Sequence, residues 1–227
     1  MGILCILLII AIILILSYFA LSFYMNRPSV CQEDSLIKRI FIFAEKACKV
    51  SEIPEFATQC MAEIKNTKEG SSLLEKKDKD YVNHFAIFYF DGPKIVEKYK
   101  ICRVCVGILC NKDTSTTEIE KELKVKGYES AVINFTKGVS RKIPNTKDDK
   151  YVPTGLSVYP SIENYIKNNS DTRESLLESL SYKNDEIEFA EIIDPSTILY
   201  YRPLFQAERF HISRLPPFKD EGVKKDQ

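Results

Sequence analysis

The sequence predicts an α+β domain carried behind an amino-terminal transmembrane helix, and three observations predict it. Residues 3–24 contain no charge, and 13 of these 22 are Ile or Leu. Every charged side chain lies beyond residue 26, where roughly a third of the residues are charged. That remainder alternates short aromatic and β-branched runs with stretches of helical period, which is the pattern of helices packed on a sheet. The expected organisation is a transmembrane signal anchor over 1–25, a linker over 26–35, one domain over 36–215 and a short flexible tail over 216–227. A domain of that length buries a core without metals or disulfides. The 32 basic residues balance 32 acidic ones, so no large field of one sign exists to hold nucleic acid.

At 1.5 Å per residue the uncharged run spans a hydrocarbon layer of roughly 30 Å. Ile3 and Leu14 lie within that span and Tyr24 at its end, where aromatic side chains sit at the interface. A cleaved signal peptide is the competing reading. The run exceeds the roughly 7–15 residues of a signal core, and no Lys or Arg precedes it. Arg27, Lys38 and Arg39 follow it, and cationic flanks stay cytosolic, so the domain is expected to face the cytosol.

Along the domain, Ile40-Phe-Ile-Phe43 centres a first strand over 36–46. Ile53, Phe56, Ala57, Cys60, Met61 and Ile64 then repeat at helical spacing. Residues 66–80 read as a solvated connection. Two strands, 84–90 and 100–110, are apolar on both faces and are joined by a turn or longer loop after Asp91-Gly-Pro93. Ser115-Thr-Thr-Glu118 reads as a capping box opening a helix that Gly127 closes. A strand at 130–135 and a polar loop over 138–150 follow. Leu156, Tyr159, Ile162, Tyr165 and Ile166 form a second helical stripe that includes Pro160. A short helix from Asp171 and strands at 186–192 and 197–204 complete the order.

Beyond Cys5, six cysteines stand at 31, 48, 60, 102, 105 and 110. Cys102 and Cys105 are three apart in a strand and so point to opposite faces, which forbids a shared bridge or metal. The six read as buried hydrophobes in a reducing compartment, with no metal site and no cofactor. A luminal or secreted domain with bridged cysteines is the alternative. The sequons at Asn134 and Asn168 would then carry glycans.

Four local patterns carry a resemblance. Ile87-Phe-Tyr-Phe-Asp-Gly-Pro93 followed by Lys100-Ile-Cys-Arg-Val-Cys-Val-Gly-Ile-Leu109 resembles the strand-turn-strand core of GyrI-like domains. Tyr159-Pro-Ser-Ile-Glu-Asn-Tyr-Ile166, and Ile187-Glu-Phe189 with Tyr200-Tyr-Arg-Pro-Leu204, resemble its second half. With the amino-terminal helix in front, the chain resembles the testis-expressed ER-phagy receptor family, single-pass ER membrane proteins with a GyrI-like domain. The resemblance implies a tandem βαββ fold with a pocket between two pseudo-symmetric halves. It implies a non-enzymatic adaptor role in ER-phagy or ER quality control, with ubiquitin-like autophagy modifiers and the valosin-containing AAA ATPase as partners. The family recruits modifiers through a long disordered tail, where this sequence has about twenty residues beyond Leu204.

The resemblance also places Glu188 where GyrI-like domains turn an acidic residue into a ligand pocket. There a carboxylate among aromatics binds a cation or serves as a base. Tyr89 and Tyr165 would line that pocket and hold a small-molecule ligand. The plainer reading makes Glu188 a solvated strand carboxylate and both tyrosines core residues. Phe189-Ala-Glu-Ile192, with acidic residues before it, has the aromatic and aliphatic spacing that adds a strand to a modifier's sheet, so Phe189 and Ile192 are candidate partner contacts. Its plainer reading is an ordinary internal strand. No catalytic residue is assigned, since there is no Gly-x-Ser-x-Gly and no phosphate loop, and the two His are remote in sequence. A membrane-tethered binder or GyrI-like hydrolase, which needs only a carboxylate and aromatics, remains the main alternative.

Overall fold

The computed structural model describes residues 2–25, 29–31, 39–75, 83–91, 93–111, 114–133, 138–144, 155–169, 189–193, 197–203, 212 and 214–216. The helix expected from Asp171, Glu188 and the tail beyond 216 lie outside these residues. Helix α1 (Gly2–Met25) is continuous over 24 residues, and its described large side chains are exposed, Leu14 at 65%. Counting only residues whose side chains are described, no helix is long and apolar enough to cross a membrane. The α1 backbone nonetheless rises about 36 Å at 1.5 Å per residue, and its sequence holds no charge.

The domain is one antiparallel sheet of eight strands in the order β1-β6-β8-β7-β3-β4-β2-β5. The strands are β1 (Ser29–Cys31), β2 (Arg39–Lys49), β3 (His84–Tyr89), β4 (Ile101–Asn111), β5 (Glu129–Ile133), β6 (Gly138–Pro144), β7 (Phe189–Ile193) and β8 (Thr197–Pro203). Helices α2 (Ile53–Lys65), α3 (Gly70–Glu75), α4 (Pro93–Tyr99), α5 (Thr117–Lys124) and α6 (Gly155–Asn168) connect them. One unit occurs twice: β2-α2-β3-β4 is laid down in the spatial order β2-β4-β3, and β6-α6-β7-β8 in the order β6-β8-β7. The halves meet where β3 pairs with β7, and each gains one outer strand, β5 on the first and β1 on the second. The expected mixed fold with a largely antiparallel sheet is therefore present.

All five domain helices cover one face. Ile53, Ala57, Cys60 and Ile64 of α2 and Ile119 and Leu123 of α5 pack on Ile42, Ile87, Val104 and Ile108. Val158, Ile162 and Ile166 of α6 pack on Val139, Ile198 and Tyr200. Register places Tyr200 in line with Ile87 through β7, so both clusters lie on the same side of the sheet. Alternation sends Phe41, Phe43, Phe88, Cys105, Leu109 and Tyr201 to the opposite side, which is nonetheless buried.

Several local expectations need correction. The 26–35 linker contains β1, which pairs with β6 at Ser29↔Ser140 and ties the end of α1 to the sheet edge. The 66–80 connection contains α3: the Thr67 hydroxyl donates to the Ile64 carbonyl at 2.7 Å and accepts from the Gly70 N–H at 3.0 Å, turning the chain so that Leu73 is buried. The link between β3 and β4 is a helix, α4, and it reverses at Lys100, whose φ of 58° is left-handed. The expected capping box does not form. Thr116 is the N-cap and its hydroxyl binds Glu120, while Glu118 pairs with Lys121 on the surface. Gly127, at φ 87°, ends the turn after α5 as expected. The polar loop at 138–150 begins with β6, a strand whose short alternating apolar set, Val139 and Ile143, hid it.

Gly107 sits where β2 and β4 approach most closely. A Cβ there would lie 1.9 Å from the Ile42 carbonyl oxygen and 2.7 Å from the Phe43 Cα, both backbone atoms that cannot rotate away. G107A is expected to cost about 3 kcal/mol through forced displacement of β2. Urea unfolding should show this as a lower midpoint at unchanged slope.

Candidate functional site

The described polar centre of the domain begins at the crossover from β3 to β4. Phe90 stands opposite Arg103, with its N–H donating to the Arg103 carbonyl at 3.1 Å, and Asp91 follows two residues beyond the last ladder pair. The Asp91 carboxylate accepts the Arg103 backbone N–H at 2.6 Å, Nε at 3.0 Å and Nη2 at 2.9 Å. Arg103 Nη2 also reaches the Phe90 carbonyl, and Nη1 donates to the Leu215 carbonyl at 3.0 Å. Both side chains are buried, at 0–1% exposure. A forked guanidinium facing a carboxylate in this way is among the strongest pairings proteins make, and its cost of desolvation is met by these additional bonds.

This pair anchors the sheet face that carries no helix among the described residues. Its floor is aromatic: Phe41 stacks on Phe88 at 4.4 Å between ring centroids and on Phe43 at 5.1 Å. At one end stand two acidic residues, Glu45 and Glu129, which alternation places on this face beside Phe43. The segment 212–216 crosses there. Ile212 packs on the aromatic cluster, the N–H groups of Arg214 and Leu215 donate to the Glu45 carboxylate at 3.1 and 3.4 Å, and the Arg214 guanidinium pairs with Glu129 at 2.7 Å. Arg214 and Glu129 also border an open groove of about 500 Å³ with Glu120, Lys124 and Tyr128.

The cysteines follow the expected alternation. Cys102 joins the helix-side core and Cys105 the opposite one; these two and Cys48, Cys60 and Cys110 are free and buried. Burial pushes the Cys60 thiol up to about 11 and Cys110 to about 12, and raises Cys48, Cys102 and Cys105 as well. At Cys105 the charges of Glu45 and Glu129 add to burial, and Arg103 opposes them. Among the described residues no three of His, Cys, Asp or Glu gather closely enough to hold a metal ion.

The residues singled out from sequence do not assemble into one site. Tyr89 is fully buried on the helix side, in the cluster beneath α2. Tyr165 is half-buried on α6, in the other half's cluster. Glu188 lies outside the described residues. The candidate partner strand needs correction. β7 is hydrogen-bonded on both edges, to β3 and to β8, and Ile192 is 6% exposed, so residues 189–192 have no free edge to add to a partner's sheet. Sequence reasoning passed over Asp91, Arg103, Glu45, Glu129 and Arg214. A lone arginine inside the apolar run 101–110 was the available signal, because a charge there must have a buried partner.

No family model and no curated protein matches the chain. Among solved structures, it is similar to a conserved protein from Listeria innocua at 12% identity and a TM-score of 0.45, covering 78% of this chain and 92% of that one. A hydrolase from Listeria innocua aligns at 11% identity and 0.43, with the same coverages. A protein solved with bound tetraphenylphosphonium aligns at 11% and 0.44, covering 82% and 98%. None of these likenesses reaches 0.5, and none speaks to activity.

Two outcomes follow from this site. D91N keeps the volume but leaves the buried guanidinium without its counter-charge, so it should cost about 3–5 kcal/mol by urea unfolding, while K121A on the exposed pair with Glu118 should change little. Unfolded thiols ionise near 9, whereas the folded ones hold their protons longer. Folding stability should therefore fall as pH rises from about 9 through the folded values of Cys60 and Cys110, about 11 and about 12. Equilibrium unfolding measured across that range checks the sign.

Proposed function

We propose that the chain is a single-pass membrane-anchored adaptor or receptor of the endoplasmic reticulum, with a cytosolic GyrI-like domain serving ER-phagy or ER quality control without catalysis. The observation that carries this reading is the uncharged 24-residue α1, followed after residues 26–28 by a strand already hydrogen-bonded into the sheet. An apolar helix with no charge and exposed Leu and Ile along its length is stable in a bilayer and costly in water. With β1 fastened to β6, the domain is held close against the membrane. The basic residues Arg27, Lys38 and Arg39 after the helix, with none before it, support the cytosolic orientation. Five free, buried cysteines agree with a reducing compartment. The resemblance of the aromatic-Asp-Gly-Pro turn and the Cys-Arg strand to the ER-phagy receptor family supplies the specific role. Ubiquitin-like modifiers or the valosin-containing ATPase would have to bind elsewhere than on β7.

Synthesis of the full chain with microsomes tests this. The protein should remain in the membrane fraction after alkaline extraction, stay unglycosylated at Asn134 and Asn168, and be digested by added protease. A protected, glycosylated domain would overturn the cytosolic assignment.

A further inference from the structure

We infer that Ile212 and residues 214–216 form a strap latched on the sheet face opposite the described helices, closing this end of its aromatic floor until the latch is released. Five contacts hold it, four polar ones from β2, β4 and β5 and one apolar one on the aromatic cluster. Glu45 of β2 receives two successive backbone N–H groups, from Arg214 and Leu215. Arg103 of β4 donates to the Leu215 carbonyl. Glu129 of the outer strand β5 takes the Arg214 guanidinium, and Ile212 inserts against the cluster of Phe41, Phe43 and Phe88. Every anchor belongs to the same face: Glu45 is two residues from Phe43, Glu129 is registered with Phe43, and Arg103 is two residues from Cys105.

The contacts differ in kind from those of the core. Arg214 is 72% exposed and Glu129 37%, so their pair is weakened by solvent and salt. The two amide bonds end on the half-buried carboxylate of Glu45, whereas Arg103 keeps its Nε and Nη2 bonds to Asp91 when the strap leaves. Strap release therefore exposes the floor while the buried ion pair and the helix-side core stay intact.

Cys105 reports the event. It stands directly opposite Glu45 in the β2–β4 register and is fully buried on this face, while Cys102 and Cys110 lie under the helices. With the full chain in detergent, iodoacetamide labelling mapped by mass spectrometry should show R214E raising Cys105 modification about tenfold, with Cys102 and Cys110 unchanged. E45A should do the same by removing the acceptor of both amide bonds, and the charge swap R214E with E129R should return Cys105 towards its wild-type rate. The exposed position of Arg214 keeps that variant folded, which unchanged Cys102 labelling verifies. The proposal fails if Cys105 labelling in R214E and E45A stays at the wild-type rate. It fails equally if the two variants label Cys105, Cys102 and Cys110 in parallel, because the face would then open only with the whole domain.

Discussion

The buried pairing of Asp91 with Arg103 is the constraint to which the rest of the domain is fitted. A guanidinium at 1% exposure must have a counter-charge and acceptors on hand, and Asp91, the Phe90 carbonyl and the Leu215 carbonyl supply them. Meeting that demand fixes the turn out of β3, since Asp91 must stand two residues past the last ladder pair, Tyr89 with Val104. It fixes the register of β4, whose Arg103 N–H is held by the same carboxylate. It also gives Leu215, far along the chain from both partners, a definite place to dock.

Around this pair the sheet is two-faced. Repeating the βαββ unit puts the five described domain helices on one side, where their apolar stripes share clusters with Phe85, Ile87 and Tyr89 of β3, Val104 and Ile108 of β4 and Ile198 and Tyr200 of β8. Gly107 lets β2 and β4 close up in the middle of that sheet. The opposite side carries Phe41, Phe43, Phe88 and Tyr201, all buried, and among the described residues the extended strap packs there through Ile212. A helix buries apolar area in a continuous stripe with its own hydrogen bonds satisfied, whereas an extended strap depends on partners from the sheet for its N–H and C=O groups. That difference is why the polar residues Glu45, Arg103 and Glu129 concentrate on the helix-free face.

The periodic elements could be read in advance because their signals are local. The α2 stripe, the doubly apolar β3 and β4, the α6 stripe with its proline and the left-handed Gly127 each announce themselves within a dozen residues. The opposite-face placement of Cys102 and Cys105 followed from spacing alone. What escaped was short or polar: β1 with three residues, α3 with six, and β6, whose lysine and arginine mask an edge-proximal strand. Propensity cannot find such elements, because pairing partners remote in sequence create them.

The candidate site divides in the same way. Sequence by itself determined that an uncharged helix precedes a mixed domain and that Cys102 and Cys105 point to opposite faces; each is a matter of composition or spacing within one element. Only the tertiary structure decided that Arg103 pairs with Asp91, that Tyr89 and Tyr165 belong to separate clusters, that β7 lies inside the sheet with no free edge, and that Arg214 returns to β5 and β2. Strand order and the return of a remote segment are set by packing and by the satisfaction of buried polar groups summed over the whole chain, and no window of residues contains that sum.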